Sequence, residues 1–227
     1  MRTEAQVTRA DRVVHGVIIL GNVSTTAVRQ TPALKEWAVI VRALLAGEQI
    51  LDVRKGGLRE NDRHFSVESS RFWLYPSAEH QRPELIKPAY RRWVDDEIAD
   101  APADRAIRVS GWADVVASVS ITDPDELAAL DSRLIWTLDY ADSRLKWKRR
   151  HPLWVLALRV HRLHDPIVVP FDDAYAGCTS WVDLQGLPAE PESLPSEPAL
   201  TDTSFATRLE QVTKALPSLH PPNDSRM

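Results

Sequence analysis

Ile107 to Ile121, IRVSGWADVVASVSI, carries an apolar residue or glycine at every odd position: Ile107, Val109, Gly111, Ala113, Val115, Ala117, Val119 and Ile121. The even positions hold Arg108, Ser110, Trp112, Asp114, Val116, Ser118 and Ser120. Successive side chains leave an extended chain on opposite sides, so strict period two predicts a strand with one face buried. The run is about three times the usual strand length. It therefore has to bend, and Gly111 is the natural place for a bulge or corner. Long bent strands are typical of small barrels.

Outward from this strand the pattern stays mixed. Downstream, Asp123-Pro124-Asp125-Glu126 opens a short helix, with Asp123 as N-cap and Pro124 in the first turn. HPLWVLALRVH (His151 to His161) is apolar on both faces as far as Arg159, the pattern of a central strand covered on both sides. Leu134 to Leu138, Ile167 to Val169 and Ser180 to Leu184 read as further short strands. Upstream, RFWLYP (Arg71 to Pro76) is an aromatic strand closed by proline, and Pro83 and Pro88 break the following stretch, Ala78 to Asp100, into helical or irregular pieces. Ala33 to Ala46 spaces Leu34, Trp37, Ala38, Val41, Leu44 and Leu45 at three- and four-residue steps. That spacing predicts an amphipathic helix, with Thr31 as its cap, Pro32 in its first turn and Gly47 at its exit. Glu48 to Arg54 then reads as a strand running into Lys55-Gly56-Gly57. The sum is an α+β fold: a small curved or barrel-like mixed sheet with two or three short helices.

The 227 residues suit one domain of ordinary size with extensions. We place that domain at Thr31 to Leu184, after an N-terminal extension over residues 1–30. From Gly186 onward the composition changes, and seven of the sixteen prolines fall there among serines and acidic residues. Such a composition predicts a disordered proline-rich C-terminal tail over 185–227. Within it Phe205, Leu209, Val212 and Leu216 have the spacing of a short helix over 203–216. Hydrophobic content of 44% and charged content of 26% are those of a globular protein, and a formal charge of −4 argues against a surface wholly committed to nucleic acid. The single cysteine, Cys178, excludes an intramolecular disulfide and a cysteine-only zinc site, so a reducing, cytoplasmic setting fits best. The apolar run Val13 to Val23 is too short to span a bilayer, and no membrane partner is expected.

Three segments carry a resemblance: ALKEWAVIVRALLAGEQILDVRKGGL (Ala33 to Leu58), RFWLYPSAEHQ (Arg71 to Gln81) and HPLWVLALRVHRLHDP (His151 to Pro166). Together they resemble the bacterial domain-of-unknown-function family numbered 1802. The family has no established activity. Its members have been associated with a suspected nuclease domain, so the resemblance implies nucleic acid as a partner. A second resemblance is architectural. A helix ending in glycine before a strand (LLAGEQILDVR), a long strand (GWADVVASV), a short capped helix and a strand closing in RVHRLHDP is similar to the order seen in PUA, ASCH and EVE barrels. Those barrels bind RNA or modified bases in an aromatic pocket, which implies a PUA-like fold and that class of ligand.

Candidate chemistry is sparse, and no catalytic signature stands out. Arg144, Lys146, Lys148, Arg149, Arg150 and His151 surround Trp147 in the one dense basic cluster. Phosphate neutralisation beside an aromatic ring is what single-stranded nucleic-acid binding requires, although a solvated loop between strands has the same composition. Lys55, Gly56 and Gly57 either present N–H groups and an ammonium to a phosphate or form a plain hairpin turn. Glu79, His80 and Gln81 either read a base edge or satisfy backbone groups at a strand end. His161 and His164 lack a third ligand and a shared-metal spacing, and Cys178 lacks an assignable base. We therefore expect no metal and no cofactor. The best reading is a non-catalytic nucleic-acid or nucleotide-binding module, its partner RNA, single-stranded DNA or a modified nucleotide. The alternatives are a metal-dependent nuclease-related domain, resting on Asp52, and a protein-interaction scaffold. On the barrel reading, His80 and Arg144 should share one cleft, with ring surface of Trp73, Trp112 or Trp147 exposed in it.

Overall fold

The computed structural model describes residues 32–55, 69–140, 143, 153–177 and 179–221. β1 (Ala33–Trp37) runs directly into α1 (Ala38–Leu45), followed by β2 (Leu51–Lys55) and β3 (Arg71–Ser77). Two 3-10 turns, each opened by a proline, lead to α2 (Arg91–Ala99). The long β4 (Ile107–Ile121), α3 (Pro124–Ala128) and the longer β5 (Leu153–Val169) come next. β6 (Trp181–Val182), β7 (Ser196–Pro198) and α4 (Asp202–Ala215) complete the order.

The strands form one mixed sheet in the order β2-β5-β4-β3-β1-β6, with β7 paired to the far part of β5. Among the described residues only β1 and β3 are parallel, and every other pair is antiparallel. The fold is thus the expected α+β type with a bent mixed sheet and few short helices. The sheet remains open, however. Among the described residues β2 and β6 end its path and do not pair with each other, so hydrogen bonds close no barrel.

The bend lies where the glycine predicts it. The β4–β5 register shifts between Val109 and Gly111, and again between Val115 and Ala117. A side chain at Gly111 would collide with the His161 carbonyl oxygen and with Leu45, so the close crossing needs glycine. The shift also lets one alternating strand feed two cores. Ile107, Val109 and Trp112 pack in a cluster with Ala33, Trp73 and Tyr75, whereas Ala113, Val115, Val119 and Ile121 join the larger cluster around α1.

Two expectations are corrected. Ala33–Trp37 is strand, not the first turns of a helix: Ala33 to Trp37 pairs with Trp73 to Ser77, and Ala33 and Leu34 pair with Val182 and Trp181 on the other side. Leu34 suits either periodicity, and the two flanking strands supply hydrogen bonds that decide between them. The proline-rich segment is the second correction. Its described residues, 185–221, pack onto the domain, with β7 beside His161 to Leu163 and with Val212, Leu216 and Leu219 buried in the larger cluster, and the helix predicted over 203–216 is α4. The prolines set turns there while the apolar residues of α4 bury against the sheet, so composition alone misjudged the segment.

Candidate functional site

α1 is held at both ends by identifiable donors and acceptors. At its start, Glu36 Oε1 accepts from the Trp37 N–H at 2.7 Å and Gln81 Oε1 from the Val39 N–H at 2.9 Å. At its end, Gly47 with φ 72° donates to the Leu44 carbonyl and Glu48 to the Ala43 carbonyl, the paired bonds of a Schellman exit. This fixed helix forms one wall of a cleft of about 610 Å³. The end of β3, the exit of α2, the start of β4, Arg162 of β5 and Phe171 complete the walls. The volume lies within the range of small-ligand sites, about 300 to 1,000 Å³.

The floor is apolar, supplied by Ala38, Val41, Leu45, Pro76, Ala106 and Ile107. Charge stands around it. Arg42 pairs with Asp96 and Glu97, each at 3.3 Å, and lies 4.5 Å over the Trp93 ring. Burial raises the Glu97 carboxyl, with Arg42 opposing the shift. Arg105 lies 3.7 Å over the Phe171 ring and pairs with Glu79 at 3.2 Å; Lys35 approaches the same carboxylate at 3.5 Å. Burial, then the Glu79 charge, pushes the Tyr75 hydroxyl up to about 12, so it stays protonated and able to donate. Arg162 pairs with Glu197 at 2.8 Å. Arg108 is exposed on β4 and, among the described residues, meets no carboxylate.

Backbone strain gathers at this rim. Among the described residues His80, Asp104 and Arg105 are the non-glycine residues with positive φ, at 61°, 55° and 58°. The Glu79–Arg105 ion pair links the two turns that hold them. Such conformations persist where the surroundings over-determine them, and they cluster at binding sites.

The expected residues are distributed unevenly. Gln81 is a cap for α1, satisfying a backbone group as one of the two readings had it, and His80 is exposed at the turn beside the cleft. Glu79, which the predicted trio placed next to them, lines the cleft itself. The backbone of Lys55 ends β2, while its side chain, Gly56 and Gly57 lie outside the described residues, as do Cys178, Arg144, Trp147, Lys148 and Arg149. The expected exposure of Trp73 and Trp112 is overturned: they are 0% and 4% exposed. Trp112 is stacked on His161 at 3.9 Å with Arg71 4.7 Å over its ring, so both tryptophans are structural. The cleft's aromatic surface comes from Tyr75 and Phe171 instead. Sequence reading missed the arginines, because they come from three separate segments; the one local signal was Arg108, a charged residue on the polar phase of the long strand.

Asp52 is not part of the cleft. It is fully buried with Glu36 and Arg54, the last at 3.6 Å from its Oδ2. No phosphodiester can reach it there, and among the described residues no three His, Cys, Asp or Glu side chains gather as metal ligands. Among the described residues no helix is long and apolar enough to cross a membrane.

The family model described as a domain of unknown function, DUF1802, matches residues 33–211. Crystal structures of ASCH from Zymomonas mobilis are similar in outline. The ASCH structure is 16% identical with a TM-score of 0.40, covering 70% of this chain and 90% of that one. Two single-substitution mutants of the same protein give 15% and 0.42, covering 70% and 90%, and 14% and 0.39, covering 70% and 92%. At these TM-scores the likeness bears on neither activity nor ligand. No curated protein matches the chain.

Proposed function

The chain belongs to the DUF1802 family, a membership that assigns no activity, and we propose from the cleft itself that the protein is a non-catalytic module binding a nucleotide unit of RNA or single-stranded DNA. The observation that carries this reading is the apolar-floored cleft with Arg108 unpaired at its mouth. A base is a flat apolar body with a polar edge, and its phosphate is an anion. The floor and the Phe171 ring suit the first, the Tyr75 hydroxyl can donate to the second, and Arg105, Arg108 and Arg162 suit the third. A ligand with no charge would leave Arg108 without use. The basic segment Arg144 to His151 belongs to the same reading, as a source of further phosphate contacts. A reducing, cytoplasmic setting is part of the proposal and rests on the single cysteine.

Fluorescence anisotropy with short single-stranded RNA and DNA across a salt series tests this. Arg108→Ala should weaken binding about tenfold and reduce the slope of log affinity against log salt by about 0.7, the value for one phosphate contact on a single strand. Phe171→Ala should weaken binding without changing the slope. No binding at low salt, or an Arg108→Ala variant that binds as the parent does, defeats the proposal.

A further inference from the structure

A second concavity, of about 500 Å³, lies between the α1–β2 connection, the turn at residues 131–133 and the first half of α4. Its lining is of another kind. Arg133 and Arg208 stand in it with the hydroxyls of Ser132, Ser204 and Thr207 and the amide of Gln211. Each guanidinium is anchored by a backbone carbonyl, Arg133 Nη1 to Ala129 at 3.0 Å and Arg208 Nη1 to Glu48 at 2.7 Å. Neither forms an ion pair with a carboxylate among the described residues. The Nε of Arg133 is also buried and, among the described residues, meets no acceptor. One carboxylate is close, that of Glu48, but its Oε2 accepts from the Tyr90 hydroxyl at 3.0 Å, and Tyr90 is not part of the lining.

We propose that this concavity is an oxyanion site for a phosphate group, distinct from the cleft described above and independent of the function assigned to it. Two cations held by their own backbone contacts have lost much of the freedom that binding would otherwise remove, while their remaining N–H groups keep donors to offer. The Thr207 hydroxyl donates to the Thr203 carbonyl at 2.9 Å, but Ser132 and Ser204 only accept, from Arg133 Nη1 at 3.3 Å and Thr201 Oγ1 at 2.9 Å, so their hydroxyls and the Gln211 amide keep donors for the several acceptors of a phosphate. The phosphate comes either from a nucleic-acid backbone or from a free phosphate.

The test follows the arginine Nε–Hε resonances of the full chain as inorganic phosphate replaces chloride at constant ionic strength, and then as a short single-stranded oligonucleotide is added. The expected result is a saturable shift of the Arg133 and Arg208 signals, weakened at least about tenfold in Arg208→Gln by loss of one charge-assisted donor group. Should Arg208→Gln fail to fold, Gln211→Glu, which adds an opposing charge on the surface of α4, must weaken binding in the same way. Arg108→Ala must leave the phosphate shifts intact, which separates this site from the cleft. Shifts with oligonucleotide that phosphate reverses assign the group to a nucleic-acid backbone, and shifts with phosphate alone assign it to a free phosphate. Unmoved Arg133 and Arg208 signals with both probes, or an Arg208→Gln variant that binds as the parent does, overturn the proposal.

Discussion

Asp52 is the residue whose environment departs most from what its side chain needs. Burial first, and the nearby Glu36 carboxylate second, raise it from 3.8 to about 7, with Arg54 pulling the other way. Among the described residues neither of its oxygens meets a hydrogen-bond donor at ordinary geometry. A carboxyl raised on folding binds its proton more tightly in the folded state than in the unfolded chain. Its contribution is therefore fully present below the unfolded value of about 3.9 and lost as pH rises through about 7. Stability measured by urea unfolding should fall between about pH 4 and pH 7 and level off above that. Asp52→Asn keeps the shape and cannot ionise, so it should flatten that decline and stabilise the fold at pH 8 by about 1 to 3 kcal/mol, the gain from removing a buried charge less the cost of burying an amide in its place. An unchanged pH dependence in the variant would show that the carboxyl is already solvated. Sequence reading found Asp52 as a candidate metal ligand because a carboxylate near a lysine looks alike whether exposed or buried. Burial is set by β5 lying beside β2, with Leu156 opposite Asp52, and nothing local encodes that. Gln81 illustrates the same limit, since its partner Val39 is 42 residues away.

Elements were legible where their signal is local and long. β4 has the bounds that period two predicts, Ile107 to Ile121, and its glycine lies at the register shift. The α3 cap is equally local: Asp123 accepts from the Asp125 N–H at 2.9 Å. Ala33 to Trp37 misled because pairing with Trp73 to Ser77 overrode a stripe that fits a helix equally well. α4 was legible as an element, since Phe205, Leu209, Val212 and Leu216 predict a helix over 203–216 and Asp202–Ala215 forms one, but its docking was not, because the apolar surface that Val212 and Leu216 cover comes from distant parts of the chain. The close crossing at Gly111 yields a sharp expectation. Gly111→Ala sets a methyl group against the backbone carbonyl of His161, which is tied into the ladder and cannot swing aside. It should cost about 1 to 3 kcal/mol, the usual toll of overpacking, read as a lower urea midpoint at unchanged slope. A variant as stable as the parent would mean that the crossing is looser than described.

At the level of the molecule, the cleft is a product of topology. The parallel β1–β3 pair brings the start of α1 beside the turn after β3, and β4 returns next to β3, so Glu79 and Arg105 meet although 26 residues apart. The floor comes from residues that sequence patterning assigns to the core, and the rim from charged residues that it assigns to solvent. Only the fold puts the two together, which is why the fold class was readable and the site was not. Chemical-shift mapping of the backbone amides during titration with single-stranded RNA tests the central claim most directly. The account predicts that the largest shifts fall on Ser77 to Glu79, Arg105 to Arg108 and Phe171. Shifts that leave these residues unmoved while the RNA binds elsewhere would contradict it.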